Sequence, residues 1–113
     1  MSKHEVQTSV SFADGKVLAC ERTGSTVLVH VKTWNEKLLR VHFNDAQALF
    51  DLMPGEISGL YYHESETELM RRALKYTHEE FPIQHAYKHF VFTNNDDEPC
   101  LEVVAAQIEI LSV

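Results

Sequence analysis

Seven histidines stand among 113 residues, and imidazole is both a common metal ligand and the side chain that titrates nearest neutral pH. His85 and His89 are four residues apart, with His78 and Glu79 upstream. On a helix that spacing puts both rings on one side, and His78, His85 and His89 would form a candidate zinc-ligand set. On a strand the same spacing separates the two rings by about 13 Å, too far for one ion. Pro82 ends any helix before His85, and His78-Glu79-Glu80-Phe81-Pro82 is not an HExxH motif. The favoured reading is therefore surface histidines without a metal or cofactor, and the three-histidine set is kept as the alternative.

A second constellation is cationic. Val27, Val29 and Val31 alternate with Leu28, His30 and Lys32, and Leu39, Val41 and Phe43 alternate with Leu38, Arg40 and His42. Paired as a hairpin, both valine faces must land on the same side, so paired residue numbers must add to an even value. A sum of 70 sets His30 opposite Arg40, and a sum of 72 sets His30 opposite His42. Either register implies a three-residue loop and gathers His30, Lys32, Arg40 and His42 on the outer face. Such a patch suits a carboxylate, a phosphate or an acidic partner, or it is a charged face that resists aggregation. Trp34 sits at the tip of this hairpin and is a candidate anchor for a partner protein. The acidic loop Asn94–Glu98 lacks the ligand spacing of an EF-hand. There is no GxSxG, no phosphate-binding glycine loop and no recognisable Ser/His/Asp set. These residues favour a non-enzymatic module.

The elements that carry these side chains read as mostly antiparallel strands. Val6–Phe12 and Lys16–Arg22 flank an Asp14-Gly15 turn, and the 27–43 hairpin follows. Asn44 or Asp45 caps a short segment, Ala46–Met53, that reads as one or two helical turns closed by Pro54-Gly55. Glu56–Glu64 is a further strand. Ser65 and Glu68 form a capping box that starts an amphipathic helix running to Phe81, where Pro82 stops it. Gln84–Thr93 and Cys100–Ser112 close the chain as a hairpin, with Pro99 outside the ladder. Leu101, Val103 and Ala105 share one phase while Ile108 and Ile110 take the other, which implies a bulge near Ala105–Gln107 or a strand buried on both faces. The sum is one α+β domain over 1–113: a curved antiparallel sheet or half-open roll of six or seven strands, with one main helix over about 65–81 packed on it.

Composition narrows the partners. Ten Lys and Arg against seventeen Asp and Glu give a net charge of −7, and the sequence pI is about 5.4. Nucleic-acid binders usually need a basic face, so nucleic acid is not an expected partner. Acidity also opposes anionic membranes, and no stretch approaches a membrane span. The first residues show no secretory pattern, and Cys20 and Cys100 belong to no CxxC pair, which together point to the cytoplasm. A terminal strand left at a sheet edge would offer β-addition to a protein partner or to a second copy as a homodimer.

Phe12-Ala13-Asp14-Gly15-Lys16-Val17-Leu18, Val27-Leu28-Val29-His30-Val31 and Leu38-Leu39-Arg40-Val41-His42-Phe43-Asn44-Asp45 are followed late in the chain by Cys100-Leu101-Glu102-Val103-Val104-Ala105. In pattern these stretches resemble small bacterial antiparallel β proteins, some of them grouped with immunity proteins of polymorphic toxin systems. The likeness spans about half the chain, and the capped helix departs from it. What it implies is a stoichiometric binder of a protein partner, with no catalytic residues to carry over.

Overall fold

The alternating valines give the strongest strand signal in the chain, and they form its central hairpin. A computed structural model describes residues 3–6, 11–63, 67–77 and 86–112. Its elements are β1 (Lys3–Glu5), β2 (Gly15–Thr23), β3 (Thr26–Lys32), β4 (Leu38–Asp51), β5 (Glu56–Ile57), β6 (Gly59–His63), α1 (Glu68–Thr77), β7 (Lys88–Thr93) and β8 (Pro99–Ser112). The β3–β4 register pairs Val29 with Val41, His30 with Arg40 and Lys32 with Leu38, which is the sum of 70. Thr33 N–H donates to Lys37 O at 2.8 Å and Glu36 N–H to Thr33 O at 3.0 Å. The loop is thus Trp34-Asn35-Glu36, with Glu36 left-handed at φ 64°.

The eight strands follow the order β1-β6-β7-β8-β4-β3-β2-β5 in one sheet, and every pairing is antiparallel. β5 and β6 are separated only by Ser58. β5 pairs with β2 and β6 with β7, so one kinked stretch, 56–63, touches both sides of the sheet and rolls it up. The Ser58 hydroxyl fixes the kink, donating to Asn94 O at 2.7 Å and lying 2.9 Å from Thr93 Oγ1. Inside the roll, Phe43 packs against Phe90 and Phe92 with ring centroids 5.2 and 6.3 Å apart, and Phe12 meets Phe92 edge-on. The helix lies on the outer face, where Met70, Ala73 and Leu74 cover Val104.

Several expectations need correction. The described residues form eight strands rather than six or seven, because β1 is a separate short edge strand and the 56–64 run divides at its kink. The segment 46–53 is not helical: β4 continues to Asp51 because β8 pairs with it from Leu39 to Asp51. Backbone partners along the whole length outweigh a local helical tendency. The expected β8 irregularity falls on β4 instead, where Asp45 is left-handed at φ 53° and the register shifts between Ala46 and Ala48. Val103, Val104 and Ala105 are buried consecutively because the core takes one face and α1 the other. Pro99 opens β8 opposite Thr93 and needs no N–H there. The helix begins at Glu68, so its cap is Thr67, whose Oγ1 accepts from Met70 N at 3.2 Å, rather than Ser65. Ser65 and His78–Phe81 lie outside the described residues, as do most of the proposed 6–12 strand and the start of the one proposed from Gln84. Ser11 and Phe12 belong to no strand.

Candidate functional site

Four turns gather at one end of the roll, and each is built by a local device. Gly15 N donates to Phe12 O at 3.0 Å across Ala13-Asp14. The Trp34 loop closes as described above. In the corner after β4, the Asp51 carboxylate accepts from Met53 N at 2.7 Å. Between β7 and β8, Asn94 N donates to Glu98 O at 2.9 Å while Asn94 Oδ1 accepts from the N–H groups of Asp96 and Glu98.

Two clefts show that these turns converge. One, of about 230 Å³, is walled by Asp14, Lys16, Lys32, Trp34, Glu36 and Glu56. The other, of about 370 Å³, lies among Leu52, Pro54, Glu56, Asn94, Glu98 and Pro99. Glu56 belongs to both, and Asn95 Nδ2 donates to Glu56 Oε2 at 3.1 Å. A third cleft behind the corner is bounded by Leu18, Cys20, Asp51, Met53 and Pro54.

Large apolar side chains stand exposed here: Trp34 at 62%, Leu52 at 59%, Met53 at 86% and, beside the corner, Leu18 at 54%. Around them Asp14, Glu36, Asp51, Glu56, Asp96, Asp97 and Glu98 are all exposed, against Lys16, Lys32 and Lys37. Among the described residues, four of the five non-glycine residues at positive φ are in these turns: Asp14, Glu36, Met53 and Asp97. Left-handed backbone disfavours any residue with a Cβ by roughly 1–2 kcal/mol, and Asp tolerates it better than Glu or Met. Backbone strain of this kind collects at functional sites.

The chain matches no family model, no curated protein and no solved structure. The site therefore has to be read from its own chemistry.

The residues singled out in the sequence fall in two places. Lys32 and Trp34 belong to the turn end. His30, Arg40 and His42 share the outer face with Lys32 but run away from it along β3 and β4. Carboxylates answer part of that patch: His30 Nε2 lies 3.0 Å from Glu21 Oε2 and Lys32 Nζ lies 3.5 Å from Glu36 Oε1, whereas the buried His42 Nε2 has no hydrogen-bond partner among the described residues. Asp14, Glu36, Leu52, Met53 and Glu56 were not singled out. Their turns were legible from Asp14-Gly15, Pro54-Gly55 and Asn94–Pro99, but only the strand order brings those turns together.

Of the alternative metal set, His78 and His85 lie outside the described residues. His89 is 5% exposed and both its ring nitrogens are engaged. Nδ1 is 2.7 Å from Thr67 Oγ1, and Nε2 is 2.9 Å from Glu102 Oε1. A neutral ring protonated on Nε2 satisfies the chain: Met70 N–H to Thr67 Oγ1, Thr67 O–H to Nδ1, and Nε2–H to Glu102. Burial pushes the His89 pKa down, the adjacent Glu102 carboxylate opposes it, and nearby His63 reinforces it. Hydroxyl, imidazole and carboxylate are of the types that catalysis uses, but here they fasten the start of α1 to β7 and β8. Among the described residues no three His, Cys, Asp or Glu side chains are placed to hold one metal ion. Among them too, no helix is long and apolar enough to cross a membrane.

Proposed function

We propose that the chain is a non-catalytic binding module that holds a protein partner, one to one, on the turn-bearing end of its roll. The observation that carries this is Met53: a large apolar side chain, 86% exposed, held in left-handed backbone beside exposed Leu52. An exposed apolar cluster rimmed by polar groups is the usual form of a protein contact, with a few bulky residues supplying most of the affinity. Trp34 is a second anchor across the shared Glu56. The ring of carboxylates selects a basic partner surface, because complementary charge steers encounter and excludes wrong partners. A second copy docked end to end would set like charges against each other, which disfavours a homodimer through this face. Stoichiometric binding is also what the resemblance to immunity-type proteins implies. Cys20 and Cys100 are free thiols. Burial and then Asp51 push Cys20 up to about 11 and also raise Cys100, which keeps both thiols protonated and unreactive near neutral pH.

Affinity capture of the full chain, followed by titration with the purified captured protein, tests the reading. Binding is expected at one to one, and Met53→Asp weakens it about 30-fold, the loss of one hot spot, without lowering the melting temperature. A partner that binds Met53→Asp as tightly as the original chain overturns the proposal, as does the absence of any stoichiometric partner.

A further inference from the structure

We propose that the cleft beneath Trp34 is an acceptor for a guanidinium group, so that the partner presents an arginine side chain to it. This deepens the reading of the turn end as a protein contact and rests on it. The indole is 62% exposed and forms one wall of a space of about 230 Å³, enough for a planar group on a flexible stem. Asp14, Glu36 and Glu56 line the same space with Lys16 and Lys32, leaving one carboxylate in excess. Both lysines face a carboxylate, Lys32 within an ion pair and Lys16 across the strand register only. Lys16 is set opposite Glu56 by the β2–β5 register, and Lys32 Nζ lies 3.5 Å from Glu36 Oε1. Lys32 and Glu36 are exposed enough that their ion pair holds weakly, so an incoming cation can share the Glu36 carboxylate. An incoming anion would have to displace Glu36 from Lys32 and enter a surface already rich in negative charge.

The geometry also favours arginine over lysine. A guanidinium is flat, weakly hydrated and forked, so it can stack on an indole and donate sideways to carboxylates at the same time. An ammonium is a compact, strongly hydrated charge that gains less from the indole face. Glu56 is the best-placed acceptor, because Asn95 Nδ2 steadies its Oε2 at 3.1 Å.

Trp34 is the only tryptophan in the sequence, so its fluorescence reports the cleft directly. Acetylated hexaarginine amide, titrated into the full chain, is expected to give a saturable change in Trp34 emission. Hexalysine should bind at least fivefold more weakly, and hexaglutamate should give no saturable change. Glu56→Gln should weaken hexaarginine at least fivefold, whereas Glu109→Gln, an equal loss of charge on β8, should stay within twofold. Equal binding of hexalysine, a saturable response to hexaglutamate, or equal effects of the two glutamine variants would each overturn the assignment. Should the peptide fail while Met53→Asp still disrupts the partner complex, only the guanidinium site falls. Should the peptide saturate the cleft while no protein partner binds, the wider reading falls instead.

Discussion

Glycine at Glu36 and at Met53 is expected to make the fold more stable and the partner complex weaker. Both residues are left-handed, at φ 64° and 55°. Removing the Cβ relieves roughly 1–2 kcal/mol of backbone strain, and the added freedom of the unfolded chain returns about 0.5–1 of it. The net gain is about 0.5–1 kcal/mol at each site. Glu36→Gly also loses an exposed ion pair with Lys32, worth at most about 1 kcal/mol and often nothing measurable. The sites lie in different turns, so the double variant should gain about 1 kcal/mol, read by urea unfolding. Affinity for the partner should fall at least tenfold, because the double variant lacks the Met53 anchor and one carboxylate of the ring. A double variant that is less stable, or that binds unchanged, would show that these side chains are not held in strained backbone for the sake of contact.

Acid should loosen the molecule through His89. The folded state holds this ring neutral, with its pKa lowered by burial first, Glu102 pulling the other way and His63 adding to the lowering. An unfolded chain binds the proton near pH 6.5. The contribution of His89 to stability is therefore complete above about pH 6.5 and is lost as the pH falls from there toward the lowered value. Protonation also places a donor on Nδ1, so the Thr67 hydroxyl must turn its own proton elsewhere while still accepting from Met70 N. His89→Gln, which hydrogen-bonds but does not titrate, should flatten the fall in stability between pH 7 and pH 5. His89→Ala should cost about 2–3 kcal/mol at pH 7 by leaving Glu102 and Thr67 short of a partner. Identical pH curves for the original chain and His89→Gln would remove His89 from the account. The difference between the two curves is the quantity that matters.

Strand periodicity was legible wherever one face is buried and the other is not. Val27–Lys32 and Leu39–Phe43 carry their own register, because a slip by one residue would turn Val29 and Val41 outward. That argument reached the loop length and left His30 opposite Arg40 or His42, of which the structure takes Arg40. It failed at Ala46–Met53, where small and mixed residues show no clear period and pairing with β8 decides the outcome. It also stopped short at the helix start: Ser65 and Glu68 fit a capping box, yet Thr67 takes the cap and is in turn held by His89, twenty-two residues further on. The candidate site was legible only in pieces. Trp34 and Lys32 stand out by type, whereas Leu52 and Met53 look like ordinary core residues in the text. Their exposure follows from the corner after Asp51, and the meeting of the Leu52 and Trp34 clefts at Glu56 follows from the path of residues 56–63 between β2 and β7.

Hydrogen exchange measured on the chain alone and on its one-to-one complex with the captured partner tests the central claim most directly. New protection confined to the 12–17, 33–37, 51–57 and 93–99 segments is the expected footprint, with β3 from Thr26 to Val31 and β4 from Leu39 to Asn44 unchanged. Protection centred on α1, on β1 or on the His30–Arg40–His42 face, with the four turns unaffected, would contradict it.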